Sequence, residues 1–523
     1  MMRIKTLALA VSALLSAGPL SAQQSQSQTQ GPTQTENQGE EQSLLDIYQR
    51  AVENDPTVRE AEATYLANAQ QRPLARSQLL PSLQLGATTS SNSADDPNPP
   101  TNFVTGEPDP RYTGRNTSTD TDSFSLSLTQ TVFDWSRIVT LKQADKVVAR
   151  AETQYAAAKQ DLMVRVAQAY FTVLAQQDTL AAQRAAREAL SQQLEQAQRR
   201  FEVGLIAITE VQETQAGYDN AVAQEILAQQ QLATAEEQLR EIIGERVTRL
   251  AAPGSDLPLQ SPDPDSADMW VQAALKQNPE LIAARIAADV AQDEITIARA
   301  ARLPTLSFST SYSDNTRNTA NTLLGPEGFT THSLSASEGY QWSLDLRVPL
   351  FSGGQLSSRV QQGVYQHRAT LEEAERIARQ TERQARDAYL GVITSISSVR
   401  ALRQAQQSAE TALRATEAGF EVGTRTSVDV IIAQENLRQA QTQYAQSRYT
   451  YIVNILALNR AAGTLSVEDM QRVDGWLTAA GGTLPSSSPA ANPAQPSPPA
   501  QQGQAPQGQG QGQGQGQQGQ QGR

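Results

Sequence analysis

The sequence predicts a mixed α/β membrane protein made of two similar halves, in which alternating polar–apolar strands cross lipid and very long helices form coiled coils. Three observations predict it. The chain repeats itself at long range, its strand-like segments alternate with a two-residue period, and two long stretches are free of proline.

The repeat decides the organisation. Asn54-Asp55-Pro56 returns as Gln277-Asn278-Pro279, and Leu80-Pro81-Ser82-Leu83 returns as Leu303-Pro304-Thr305-Leu306; both are displaced by 223 residues (279 − 56 and 304 − 81). Ser125-Leu126-Ser127-Leu128 is echoed by Ser343-Leu344-Asp345-Leu346, Phe133 by Phe351, and Gly244 by Gly463. Phe201-Glu202-Val203-Gly204 is echoed by Phe420-Glu421-Val422-Gly423. A period of this length is no solenoid unit but a duplicated half-protein. The halves read as 43–261 and 262–480, each in the order helix, two strands, long helix, hairpin, helix.

The ends lie outside this scheme. Residues 1–22 carry Arg3 and Lys5, an apolar run from Leu7 to Leu15, and Leu20-Ser21-Ala22, the pattern of a secretory signal peptide cut before Gln23. Residues 23–42 form a linker too polar to fold alone. Residues 481–523, rich in Pro and Ser and then nearly pure Gly and Gln, are expected to be a disordered tail. No later stretch reaches the ~18 continuous apolar residues of a transmembrane helix, so strands must make any membrane crossing. The absence of cysteine excludes disulfides and thiolate metal sites. A net charge of −13 with no Lys/Arg run argues against nucleic acid.

The strands alternate cleanly. Phe124, Leu126, Leu128 and Val132 oppose Ser123, Ser125, Ser127, Thr129 and Thr131. Trp342, Leu344, Leu346, Val348 and Leu350 oppose Gln341, Ser343, Asp345 and Arg347; Leu306, Phe308 and Tyr312 oppose Ser307, Ser309 and Ser311; Leu83 and Leu85 flank Gln84. Segments of about ten residues, apolar toward lipid and polar toward a lumen, mark a transmembrane β-barrel. The smallest closed barrels need about eight strands, and an open sheet edge is not tolerated in lipid. Four strands per chain therefore require several copies in one barrel, and three copies give about twelve strands.

The helices are long because nothing stops them. From about Ser136 to Val203 there is neither proline nor glycine, and from about Gly363 to Ala418 there is no proline. Near 70 residues at about 1.5 Å each is roughly 100 Å of helix. Leu141, Val148, Tyr155, Leu162 and Ala169 keep a heptad step, and Val166, Val173, Leu180, Leu194 and Phe201 keep a second, broken at Arg187. Sustained heptads are coiled-coil seams.

No catalytic constellation appears. His332 is expected in a Thr/Ser loop and His367 on the second long helix, neither beside a nucleophile or carboxylate pair. No phosphate-cradling glycine loop and no zinc spacing is found. An enzyme, a metal site and a cofactor are all unexpected.

Each long helix ends in a turn. Gly204 and Gly423 suit a left-handed terminating residue. Thr209 with Gln212, and Thr426 with Asp429, have the spacing of an N-cap and its partner three residues on. On this reading Asp429 is a first-turn carboxylate favoured by the helix dipole, and Arg425 and Glu210 are solvated charges.

These tips carry a resemblance. Arg200-Phe201-Glu202-Val203-Gly204-Leu205-Ile206-Ala207-Ile208-Thr209-Glu210-Val211-Gln212 and Gly423-Thr424-Arg425-Thr426-Ser427-Val428-Asp429-Val430 resemble the hairpin tips of the TolC family of outer-membrane efflux channels. The likeness covers about Ser43 to Asp474, both Leu-Pro pairs and Phe133 and Phe351 included. It implies a homotrimer forming a 12-stranded transmembrane β-barrel, four strands per chain, continuous with a long α-helical coiled-coil barrel closed at its periplasmic end. It also implies multidrug efflux or type I protein secretion, passively, for an inner-membrane pump of the RND, MFS or ABC class joined through a periplasmic adaptor (membrane fusion) protein. The adaptor would dock at Val203, Gly204, Leu205, Val422, Gly423 and Thr424. Asp429 matches an acid of the entrance ring, while the position of a second acid is Ile432 here. Arg425, Thr209 and Glu210 match a closed-state latch whose aromatic member is Phe420, which lacks the hydroxyl that a tyrosine would donate. The alternative is a non-conducting exported coiled-coil structural protein or adhesin, for which a polar strand face has no use.

Overall fold

The computed structural model describes residues 41–247, 249–254 and 257–477. The expected signal peptide, all but the last two residues of the linker, and the tail lie outside them.

Short helices α1 (Leu44–Asn54), α2 (Pro56–Ala69) and α3 (Gln71–Ser77) precede strands β1 (Ser82–Asp96) and β2 (Gly114–Phe133). Then come α4 (Trp135–Glu202) and α5 (Ile208–Ile243). The second half repeats the order with α6 (Ala267–Gln277), α7 (Pro279–Ala300), β3 (Thr305–Leu324), β4 (Thr330–Arg347), α8 (Gln355–Glu421) and α9 (Ser427–Ala462), followed by α10 (Val467–Asp474). Each half thus opens with more than one helix. Asp55 and Asn278 make the break: each caps the helix that begins at the following proline, accepting from Val58 N and Leu281 N respectively.

The four strands form one antiparallel sheet in the order β1-β2-β3-β4, so β1 and β4 are its two edges. The strands run to 15, 20, 20 and 18 residues, nearly twice the length that alternation marks out. Beyond the apolar segments the strands continue as Ser, Thr, Asn and Asp on both faces, which still pair through backbone bonds but give no hydrophobic period. A second correction concerns Val132. A bulge between Thr131 and Phe133 sets Phe133 opposite Leu306, so the extra residue moves Val132 out of register with the apolar face.

The long helices are as expected: α4 has 68 residues and α8 has 67. Gly391 lies inside α8 without ending it, and its carbonyl accepts from Asn454 Nδ2 of α9 at 3.3 Å. Of the two heptad seams, the second is the buried one: Val166, Val173, Leu180 and Leu194 are all buried. In the first only Leu162 is buried, and Phe201 at the end of the second is exposed. Among the described residues no helix is long and apolar enough to cross a membrane.

The largest core lies where α1, α5, α6 and α10 surround α4, α8 and α9. It contains Leu44, Ile47, Leu162, Val166, Phe171, Leu239, Ile243, Val392, Ile452, Leu456 and Met470. Two buried tyrosines fasten the segment after α5 onto it. Tyr170 Oη donates to Ala251 O at 2.6 Å, and Tyr451 Oη accepts from Gln260 N at 2.9 Å.

Candidate functional site: the two hairpin tips

Both tips close with the same backbone device. At the first, Gly204 (φ +77°) donates to Phe201 O at 2.8 Å and Leu205 N donates to Arg200 O at 2.8 Å. At the second, Gly423 (φ +78°) donates to Phe420 O at 3.1 Å and Thr424 N donates to Gly419 O at 2.8 Å. These paired bonds are the Schellman motif, which satisfies the last helical carbonyls and needs a residue with positive φ. Val203, Leu205 and Val422 are then left pointing into solvent, each at least 70% exposed.

The tips differ where the next helix starts. Thr426 caps α9: its Oγ1 accepts from Asp429 N at 3.2 Å while Asp429 Oδ2 accepts from Thr426 N at 2.9 Å, a complete capping box. At the first tip the expected cap, Thr209, is not at the cap. The N-cap of α5 is Ala207, with no side-chain bond. Thr209 lies two residues inside the helix, where its hydroxyl cannot reach the first free N–H groups. Glu210 occupies the position of Asp429, so the acid half of a capping box stands there without its hydroxyl half.

The Asp429 carboxyl is held below the usual carboxylate range, first by the Thr426 N–H, then by the Thr426 hydroxyl and by the nearby Arg425 charge. Ile432, one turn on, is exposed.

A seam joins the hairpins. The Arg200 guanidinium of α4 lies 5.3 Å from the centre of the Phe420 ring of α8, a cation–π contact. Gln193, Glu210, Thr214, Phe420 and Ser427 line one void of about 10 Å³ beside it, at the lower limit for one water. Thr214 Oγ1 is turned back to Glu210 O at 2.8 Å. The Gln193 amide and Ser427 Oγ are buried without a hydrogen-bond partner. Gly217 of α5 faces Ile431 of α9 so closely that an added Cβ would lie 3.2 Å from Ile431 Cδ1.

The structure thus brings Glu210 and Phe420 to one seam. Among the described residues, no hydrogen bond or ion pair within the chain joins Arg425 to Thr209 or Glu210. Arg200 and Gly217 escaped the sequence reading, although a lone glycine inside α5 was a signal of close packing. No cluster of His, Cys, Asp or Glu able to hold a metal ion occurs among the described residues.

Comparison with known proteins identifies the family. The family model described as "Outer membrane efflux protein" matches residues 47–245 and 270–464, one copy in each half. Outer membrane protein TolC of Vibrio cholerae is 36% identical over 441 residues, covering 84% of this chain and 94% of that protein. Alkaline protease secretion protein AprF of Pseudomonas aeruginosa is 29% identical over 434 residues, covering 82% and 86%. In fold alone, the chain is similar to the CmeC outer membrane channel of Campylobacter jejuni, with a TM-score of 0.64, 17% identity and coverage of 83% and 89%. These relatives are channel and export proteins and do not favour the non-conducting alternative. The chain belongs to the outer membrane efflux protein family.

Proposed function

We propose that this outer-membrane channel for efflux and secretion works as a homotrimer, three chains sharing one barrel of about twelve strands that continues into a helical barrel. The observation that carries the reading is the open sheet: β1 and β4 each have one unpaired edge, and lipid tolerates no such edge. A neighbouring copy can supply the missing partner. Residues 43–261 and 262–480 then act as two structural repeats in each wall, after removal of a signal peptide at 1–22 and flanked by the 23–42 linker and the 481–523 tail.

In this reading the tips are the periplasmic entrance. Arg425 reaches Thr209 and Glu210 of an adjacent hairpin to hold it closed, Phe420 packs behind them, and Asp429 contributes a carboxylate to the entrance rim. The exposed Val203, Leu205 and Val422, with Gly204, Gly423 and Thr424 beside them, dock a periplasmic adaptor that parts the hairpins. Energy comes from an inner-membrane RND, MFS or ABC pump, because a passive duct has no source of its own. Single-channel recording in planar bilayers tests the latch. Arg425→Ser should raise conductance above a low wild-type value, and an unchanged low conductance would remove Arg425 from it.

A further inference from the structure

The sheet is too long for the membrane, and its outer face changes character at one row. Directly opposed residues of neighbouring strands share a face, so the register gives that face row by row. Leu83, Leu128, Thr310 and Trp342 form one row, and Leu85, Leu126, Tyr312 and Tyr340 form the next. Tyr312 and Tyr340 are in ring contact, with centroids 4.9 Å apart. The row above is Ala87, Phe124, Asp314 and Glu338, followed by Thr89, Asp122, Thr316 and Ala336, then by Ser91, Asp120, Asn318 and Leu334. Above the tyrosines Phe124 and Leu334 are the only large apolar side chains in these rows.

We infer that the outer edge of the lipid tails lies at the Tyr312–Tyr340 row, and that the remaining half of every strand stands beyond it as a β-tube contacting the aqueous headgroup layer. The inference rests on the membrane-barrel reading above and fixes where the bilayer sits on that barrel.

Three observations support the boundary. Aromatic residues collect where tails meet headgroups. Here Tyr312, Tyr340 and Trp342 mark one edge, and Phe133, Trp135 and Phe351, where the strands meet α4 and α8, mark the other. From Tyr340 to the end of β4 at Arg347, strand spacing and barrel tilt give a rise of roughly 18 Å, and Val348 to Phe351 extend it toward the ~25 Å apolar band of such barrels. Asp120, Asp122, Asp314 and Glu338 all lie on the outer face above the row, and Asp314 is directly opposite Glu338. Two opposed carboxylates repel, and ionised groups are strongly penalised in hydrocarbon, whereas water screens both effects. From Asp314 to Thr322 the upper segment adds roughly 20 Å of polar wall.

Depth-dependent fluorescence quenching tests this in the assembled, full-length protein. The chain has no cysteine, so single substitutions on the outer face give unique labelling sites. Leu128→Cys and Leu344→Cys report on the lower rows, and Ser118→Cys and Asn318→Cys on the upper ones. In vesicles whose acyl chains carry a quencher, the dye should lose fluorescence at positions 128 and 344 and keep it at 118 and 318. Quenching at all four positions would overturn the boundary while leaving the barrel intact. Quenching at none of them would overturn the barrel reading and the boundary together.

Discussion

The Arg200 guanidinium lies 5.3 Å from the Phe420 ring centre, joining the two hairpins of one chain across a sequence gap of 220 residues (420 − 200). Its partners come from different halves of the duplication. The contact therefore bears on whether the hairpins move together or apart. A cation–π contact at a partly exposed site contributes about 0.5–1 kcal/mol. Arg200→Ala should raise open probability roughly two- to five-fold in planar bilayers, and Arg200→Lys should restore part of the loss. Equal gating in all three proteins would show that the seam is held elsewhere.

Buried polar atoms in the same seam act in the opposite sense. The Gln193 amide is buried without a partner, and each such group costs about 1–3 kcal/mol relative to being solvated. Parting the hairpins would hydrate it. Gln193→Leu, of similar volume, should stabilise the closed seam and lower open probability. A rise in conductance would contradict this.

The first tip lacks a cap that the second possesses. Ala207 has the extended φ of −79° and ψ of 152° that an N-cap adopts. Ala207→Ser should strengthen the start of α5 by about 1 kcal/mol, seen as slower amide exchange in residues 208–212. No change would mean that Glu210 already satisfies those N–H groups.

At the second tip the pH dependence has a definite sign. The Asp429 pKa is lowered in the folded protein by the Thr426 bonds and then by Arg425. Its contribution is therefore present above the ordinary carboxylate value of 3.8 and is lost as pH falls through the lowered value. Hydrogen-exchange protection of the tip should exceed that of Asp429→Asn at neutral pH, and the difference should vanish once the pH has fallen below the lowered value. A difference that persists there would point to a structural defect in the variant instead.

The duplicated glycines Gly244 and Gly463 should not respond alike to alanine. Both have positive φ, +79° and +77°. A Cβ at Gly244 would meet only the Asn54 side chain at 3.6 Å, while one at Gly463 would lie 2.4 Å from the Gln277 carbonyl oxygen. Backbone strain alone costs Gly244→Ala about 1 kcal/mol. Gly463→Ala must also displace backbone, so it should cost at least twice as much in heat-induced loss of helicity.

Much of this architecture is written locally, in residues that act through their own backbone or period. Gly204 and Gly423 announce the tips, and the Leu/Ser alternation of 124–131 a strand. What was not legible depends on partners far apart in sequence or on a missing period. Thr209 imitates a cap because a hydroxyl precedes an amide-bearing residue by three positions, yet the turn geometry assigns the cap to Ala207. The polar strand halves lack an apolar rhythm, and only their pairing reveals them. Arg200 gave no hint of Phe420, because nothing local records which helix lies opposite.

A sealed channel requires the sheet to be completed by other copies. Within one chain β1 and β4 lie at opposite edges, separated by β2 and β3. A cysteine placed in each edge strand of this cysteine-free protein, followed by oxidation in the native membrane and denaturing electrophoresis, measures directly whether edges of different chains meet. Edge pairing between three chains gives disulfide-linked dimers and trimers with no larger species. A product that stays monomeric for every β1–β4 pair, or a ladder that runs past the trimer, would contradict it.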